Sequence, residues 1–128
     1  MQEYQMLLLR PKTLQLKESY PDFIDYCLGY DFQTKYDLAF YEEWFEPLEK
    51  YDRLLYERFC ERQDYRYKDH FHYIYNEMTK EISIMIINPY QITLKCDRIS
   101  NVLVQTLKEA NHCFRIFRHD KCYEEVVI

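Results

Sequence analysis

The sequence predicts an α+β fold, in which a short helix and a long, proline-interrupted amphipathic helix pack on a small antiparallel sheet with one further helix. Up to residue 64 apolar side chains recur at helical spacing, whereas from Tyr65 onward they alternate with polar ones at a period of two. The 128 residues are 48% apolar and 18% aromatic, which is enough to build a hydrophobic core. We therefore expect one domain over residues 1–128, with a mainly helical half at 1–64 and a β-β-β-α-β-β half at 65–128.

A short helix is predicted from about Tyr20 to Leu28. Ser19 is a suitable N-cap, and Gly29 stands where a helix commonly ends in the left-handed conformation. Gly29 is also the only glycine of the chain. The phosphate-binding loop, the dinucleotide fingerprint and the nucleophile elbow each require two or more glycines at fixed spacing, so the sequence excludes all three.

A long amphipathic helix is predicted next, from a motif at Thr34 that resembles a capping box to about Arg62. Pro47 interrupts this helix, because proline has no amide hydrogen to donate and its ring clashes with the carbonyl four residues earlier. The helix therefore either bends at Pro47 or is divided in two, with Pro47 as the first residue of the second helix. One apolar stripe on its surface contains Trp44, Leu48, Tyr51, Leu55 and Phe59.

The β half begins with a segment in which aromatic and polar residues alternate. We predict one half-buried strand over Tyr65–Tyr75, followed by a hairpin loop at 76–80. Turn and capping residues then mark the limits of further elements. These are strands at Glu81–Ile87 and Gln91–Lys95, a helix from Asp97 to about Ala110, and strands at Cys113–Phe117 and Cys122–Val127.

The N-terminus and the cysteines predict a cytoplasmic protein with no membrane partner. The apolar run Met6–Leu9 has only four residues, fewer than a signal peptide or a membrane span requires. Five cysteines, an odd number without a CxxC pair, predict free thiols in a reducing compartment. We expect no cofactor, because no cofactor-binding motif is present.

Negative charge is concentrated in one segment of the chain. The net charge is −5, and residues 17–66 alone carry 13 acids and 7 bases. Much of this charge falls on the long helix, on the side away from its apolar stripe, with Arg53 among the acids. The predicted partner-binding set, which we call the acidic set, consists of Glu42, Glu46, Glu49 and Glu57 from this side, together with Glu43 and Asp52.

The acidic set favours a protein partner with a basic surface, such as a nuclease or another nucleic-acid enzyme. A row of carboxylates can imitate the phosphates of a nucleic acid and occupy the groove that binds them. In composition alone, the chain resembles phage and mobile-element proteins that inhibit host nucleases, including anti-CRISPR inhibitors. The leading hypothesis is therefore a non-enzymatic, protein-binding inhibitor that blocks such a surface.

Histidines and cysteines form two candidate metal clusters. Two residues apart on the predicted strand, His70 and His72 would project from one face, as two ligands of one zinc ion do. However, no further ligand lies at a recognised motif spacing, so we assign no metal. The second candidate cluster comprises His112, Cys113, His119 and Cys122.

Two alternative functions remain open. The first is a small RNA-directed enzyme or RNA binder, in which histidine performs acid–base catalysis and cations hold phosphate. Strict alternation over Tyr65–Tyr75 would place rings and charges on opposite faces, however, and this disfavours direct nucleic-acid binding, as does the net charge of −5. The second alternative is a structural or regulatory homodimer subunit. Residues expected to serve the RNA-directed function are Arg66, Lys68, His70, His72 and Tyr73.

Overall fold

The structure, a computed structural model, describes residues 1–20, 22–28, 35–119 and 123–127. In these ranges the chain forms five helices and one seven-stranded antiparallel sheet, which confirms the predicted α+β class. None of the described helices is long and apolar enough to cross a membrane. In chain order the elements are β1 (Gln2–Leu8), α1 (Pro11–Ser19), α2 (Asp22–Leu28), α3 (Lys35–Trp44), α4 (Glu49–Phe59), β2 (Tyr65–Lys68), β3 (Phe71–Asn76), β4 (Glu81–Ile87), β5 (Ile92–Cys96), α5 (Val102–Ala110), β6 (Phe114–His119) and β7 (Tyr123–Val126).

Strand β1 lies in the interior of the sheet, whose order is β2-β3-β4-β5-β1-β6-β7. It pairs with β5 on one side and with β6 on the other. The run Met6–Leu9 is at most 1% exposed, because helices cover both faces of the sheet at this point. A strand buried on both faces is continuously apolar rather than alternating, so the period-two pattern did not reveal β1. Helix α1 was also absent from the sequence-based prediction.

The two faces of the sheet carry different helices. On the first face, Met6 and Leu8 belong to a core with α4 and α5. On the second face, Leu7 and Leu9 pack with α2 and α3 in a separate core that includes Phe117 of β6. Because successive side chains of a strand point to opposite faces, one short apolar run supports both cores.

Pro47 lies in a break between two helices, which confirms the divided alternative. Helix α3 ends at Trp44 and α4 begins at Glu49, so Pro47 precedes the second helix instead of being its first residue. The chain crosses from one face of the sheet to the other here. Its amides donate to β1 and to the β4–β5 connection: Glu46 N–H to Leu8 O at 2.9 Å and Leu48 N–H to Pro89 O at 2.9 Å. As a result, Trp44 joins the second-face core, whereas the other four residues of the predicted stripe join the first-face core.

The predicted strand over 65–75 is a hairpin of two strands, β2 and β3. Its two-residue turn consists of Asp69 and His70, with φ angles of 48° and 68°. Positive φ at both turn residues is typical of the tight hairpin turns that suit the twist of a sheet. Asp and His are among the residues that tolerate this conformation better than most, so the turn forms without glycine.

The remaining elements differ from the prediction mainly at their ends. Helix α2 begins at Asp22, two residues later than predicted, and its expected cap Gly29 lies outside the described residues. Helix α5 begins at Val102, not just after Asp97, because the Asn101 side chain caps it by accepting from the Val104 amide at 3.1 Å. Strand β4 has the predicted bounds, and β5 is shifted by one residue.

Candidate functional site

Asp52 is the centre of a polar cluster between α4 and the β2–β3 hairpin. Although it belongs to the acidic set, it is only 7% exposed. It lies on the same side of α4 as Leu48 and Leu55, four residues after one and three before the other, so its carboxylate faces the sheet. Three side chains of the hairpin hydrogen-bond to this carboxylate: Tyr67 OH to Oδ2 at 2.9 Å, His70 Nδ1 to Oδ2 at 2.8 Å, and His72 Nε2 to Oδ1 at 2.6 Å.

The protonation states in this cluster follow from burial and partners. Burial raises the pKa of Asp52, but hydrogen bonds from His70, His72 and Tyr67 lower it, and the net shift is downward. The group is therefore a carboxylate, which only accepts hydrogen bonds. Each of the three side chains must then donate to it.

Buried His72 connects Asp52 to a second buried group. Burial lowers the pKa of His72 despite the adjacent carboxylate, so the ring is neutral near pH 7. Because its Nε2–H donates to Asp52, its Nδ1 is the acceptor, and Tyr65 OH donates to it at 2.6 Å. Burial raises the pKa of Tyr65 well above its ordinary value, so the hydroxyl keeps its proton. Tyr65, His72 and Asp52 thus form one directed chain of hydrogen bonds.

His70 lies at the exposed end of the cluster, beside a pocket of about 460 Å³. Its side chain is 63% exposed, in contrast to the fully buried ring of His72. Since Nδ1–H of His70 donates to Asp52, the other ring nitrogen, Nε2, is the basic one when the ring is neutral. The pocket combines acidic groups with apolar walls and is lined by Pro47, Glu49, Asp52, His70, Ile87, Asn88, Pro89 and Tyr90.

The acidic set is spread over two helices and the connection between them. Glu42 and Glu43 are exposed on α3, Glu46 lies half-buried in the connection, and Glu49 and Glu57 are exposed on α4. Two members form ion pairs with the N-terminal region: Glu46 with Arg10 at 2.9 Å and Glu43 with Lys12 at 3.3 Å. On α4 the exposed acids alternate with exposed bases, namely Lys50, Arg53 and Arg58.

Part of the acidic set nevertheless surrounds the pocket. Glu49 lines it, and Glu46 and Glu49 also border the adjoining hollow beside Pro47. Burial and the negative charge of Glu42 raise the pKa of the pocket residue Tyr90, while Arg10 lowers it. Glu49 and Asp52 therefore line the pocket itself, whereas Glu46 borders only the adjoining hollow, together with the bases Lys50 and Arg53.

The candidate metal clusters are placed differently from the prediction. His70 occupies the turn and His72 the strand, so they reach Asp52 from different elements instead of from one strand face. His112 is exposed and Cys113 half-buried before β6, whereas Cys122 and the side chain of His119 lie outside what the structure describes. Within the described ranges no group of three or more His, Cys, Asp or Glu side chains is arranged to hold a metal ion. Cys27, Cys60, Cys96 and Cys113 are free thiols.

The hairpin divides the predicted RNA-directed set between the two faces of the sheet. Arg66 pairs with Tyr73 and Lys68 with Phe71 across the strands, so these residues share the second face. His72 pairs with Tyr67 on the first face. The expectation that rings and charges lie on opposite faces is therefore wrong for β3, because the two-residue turn reverses the phase of the alternation between the strands.

Tyr65 and Tyr67 were not predicted from the sequence as members of the Asp52 cluster. A usable signal is present, since an acid within the apolar stripe of a predicted helix must find partners when it is buried. The only histidines before residue 112 lie in the following hairpin. A scan against protein-family models finds no match to this chain, and a search of curated proteins finds no significant match either.

Proposed function

We propose that this chain is a non-enzymatic binding module that recognises a basic surface of a partner protein, and that the pocket beside Asp52 receives a lysine or arginine side chain of that partner. The observation that carries the proposal is the combination of Glu49 and Asp52 with apolar walls in one open pocket of about 460 Å³. A long cationic side chain has the matching chemistry, with an apolar stem and a charged end.

The residues that line the pocket favour binding of a cation over binding of an anion. The oxygens of Asp52 already accept three hydrogen bonds, so Asp52 contributes its negative field while exposed Glu49 is the direct partner of the cation. Pro47, Ile87 and Pro89 supply apolar surface for the stem, and the ring of Tyr90 can add a cation–π contact. The negative charge of Glu42 acts on the pocket residue Tyr90 and adds to the negative potential met by an approaching basic surface.

The class of partner follows from the same electrostatics. Enzymes that act on nucleic acids present rows of lysine and arginine to phosphate, and a module that occupies such a row blocks the substrate. We therefore propose inhibition of a nuclease or another nucleic-acid enzyme, in the manner of the mobile-element inhibitors that the composition resembles.

The test is to measure binding of a fluorescent arginine-rich peptide and a panel of purified nucleases by anisotropy at two salt concentrations. We expect Glu42→Lys/Glu49→Lys to weaken binding at least tenfold and to reduce its salt dependence. Glu61→Lys/Glu109→Lys makes the same change of charge at exposed sites outside the acidic set and should have less than a twofold effect. Equal losses in both variants, or no binding of any basic probe, would contradict the proposal.

A second candidate function is supported by the Asp52–His70 pair. A carboxylate that accepts Nδ1–H of a histidine holds Nε2 ready to accept a proton, which is the arrangement of a general base. His70 also lines the pocket, so a substrate there would lie beside it. This candidate is a small RNA-directed enzyme.

A cleavage assay separates the two candidates. Labelled single-stranded RNA is incubated with the protein, with His70→Asn, and with His112→Asn as a matched change at an exposed histidine. Asparagine tolerates the left-handed backbone of the turn, so the first variant should fold. Cleavage that is lost only in His70→Asn would support the enzyme, and absence of cleavage by the unaltered protein would eliminate it.

A further inference from the structure

Three aromatic side chains form a row on the second face of the sheet. Phe71, Tyr73 and Tyr75 alternate along β3 with buried His72 and Ile74, so they project on the side away from α4 and α5. Phe71 is 37% exposed, and the two tyrosines are half-buried. Across the next strand pair they adjoin half-buried isoleucines of β4, at positions 82, 84 and 86.

The described helices leave this part of the second face uncovered. The second-face core consists of residues from β1, β6 and helices α2 and α3, with Leu14 of α1 packed against it. None of the three rings belongs to either core among the residues that the structure describes. Apolar side chains that adjoin one another and are not covered by a core offer surface to a binding partner.

Two positive charges run parallel to the ring row. Lys68 lies opposite Phe71 and Arg66 lies opposite Tyr73, both on the edge strand β2 and both exposed. Directly opposed residues of paired strands have their Cβ atoms about 5 Å apart, so each of these pairs places a basic residue next to an aromatic one. The guanidinium of Arg66 is held in place by donating to the carbonyls of Gln63 at 2.7 Å and Tyr65 at 2.8 Å.

Acidic groups lie at both ends of this surface, with exposed Asp69 directly after Lys68 in the turn and two further acids at the Tyr75 end. Asp64 and Glu77 border a hollow together with Arg66, Tyr73 and Tyr75. Asp64 is already paired with Arg62 at 2.7 Å. Arg66 and Lys68 are therefore the two bases between these acids, and an anionic chain should bind along them.

We infer that this surface of β2 and β3 binds single-stranded nucleic acid, with bases stacked on Phe71 and Tyr73 and phosphates held by Arg66 and Lys68. Rings at alternate positions of a strand are about 7 Å apart, which lets each ring take one base of an extended strand. Charge complementarity selects this occupant, because a row of cations beside a row of rings matches a row of phosphates beside a row of bases. The inference is independent of the acidic pocket and of its protein partner.

The test uses fluorescence anisotropy with labelled oligouridine and oligodeoxyuridine of twelve nucleotides, which differ only in the 2′-hydroxyl, and a duplex of equal length as a control. We expect binding of single strands and weak binding of the duplex. With two phosphate contacts, the slope of log affinity against log salt should be about −1.4. Preference between the two oligonucleotides identifies RNA or DNA as the natural ligand class.

Variants then locate the surface. Phe71→Ala/Tyr73→Ala should weaken binding at least tenfold, whereas Tyr20→Ala, which removes an aromatic ring that is 66% exposed elsewhere, should not. Lys68→Ala should weaken binding of both oligonucleotides about equally, and Arg58→Ala serves as its matched control on α4. Ultraviolet cross-linking of the unaltered protein to the oligonucleotide should identify peptides from 66–75, which keeps the test independent of how the variants fold.

Three outcomes would overturn the inference. One is no binding by the unaltered protein at low salt. Another is an equal loss of binding in the control variants. The third is a protein dimer in sedimentation experiments that dissociates in Phe71→Ala/Tyr73→Ala, since this surface would then be occupied by a second copy of the chain.

Discussion

Asp52 organises the candidate site because its buried carboxylate requires hydrogen-bond donors. A buried carboxylate is costly unless its oxygens accept hydrogen bonds, and here the β2–β3 hairpin supplies three donors. His72 can serve as one of them because it is neutral, which leaves its other nitrogen to accept from Tyr65. The cluster thereby orients exposed His70 at the pocket without any buried, unpartnered side-chain atom among the described residues.

The lowered pKa of His72 makes stability depend on pH. Below its ordinary value of about 6.5 the unfolded chain binds a proton that the folded chain does not, so acidification favours unfolding. We expect the contribution of neutral His72 to the free energy of unfolding to be fully present above pH 6.5. As the pH decreases below 6.5, the free energy of unfolding should decrease by up to about 1.4 kcal/mol per pH unit for this proton. The loss should level off once the pH passes the lower, folded-state pKa of His72.

Urea unfolding between pH 7.5 and 5 measures this dependence, and an NMR titration of the His72 ring assigns it. The ring resonances of His72 should remain those of neutral imidazole at pH 6.5. A His72 ring that titrates above its ordinary pKa would show that the Asp52 carboxylate outweighs burial, and the direction of the pH dependence would then reverse.

At the scale of elements, the tight turns determine which side chains of each strand lie on which face of the sheet. The two-residue turn at Asp69 and His70 pairs Lys68 with Phe71 on the same face of the sheet. In one uninterrupted strand these two side chains would point to different faces. The chain builds such turns almost without glycine: the described residues with positive φ are Asp69, His70 and Lys80, none of them glycine. Each of these backbones is less favourable than glycine would be at the same angle.

Lys80 is the position where this cost can be measured without disturbing the candidate site. It ends the β3–β4 loop with φ of 63°, its side chain is exposed, and its amide donates to Asn76 O at 2.8 Å. We expect Lys80→Gly to raise the free energy of unfolding by about 0.5–1 kcal/mol, because glycine adopts this angle without steric strain. Chemical denaturation provides the measurement.

Met78→Gly is the matched control for Lys80→Gly. Met78 lies in the same loop and is 94% exposed, but its φ is not positive. Glycine should therefore give no gain there and should cost a few tenths of a kcal/mol through the added freedom of the unfolded chain. If both glycine variants were stabilised equally, relief of a left-handed backbone would not be the cause.

At the scale of the whole molecule, the two ends of the chain meet in one sheet. Strand β1 separates β5 from β6, and β6 in turn pairs with β7. The first nine residues also supply side chains to both hydrophobic cores. The acidic pocket and the aromatic surface of β3 therefore depend on a sheet that is completed by the N-terminus.

Removal of residues 1–9 should prevent cooperative folding, because it deletes an interior strand and its apolar contacts. Near-ultraviolet circular dichroism and thermal unfolding of the shortened chain should show no native signal and no transition. Removal of Val127 and Ile128 instead should leave the transition in place, since Val127 is 89% exposed. A cooperative transition in the chain without residues 1–9 would contradict this role of β1.

Local periodicity and proline geometry are enough to predict the α+β class, most strand positions, the helix break at Pro47 and the buried stripe of α4. The folded arrangement was needed to show that Met6–Leu9 is a doubly buried strand, that Asp52 is enclosed while Glu49 is exposed, and that Lys68 and Arg66 lie opposite aromatic residues. Those features depend on which faces meet across the sheet. The pairing register depends on long-range contacts, and the shape of a two-residue turn depends on backbone conformation. Local sequence is therefore compatible with a side chain on either face of the sheet, and folding selects one.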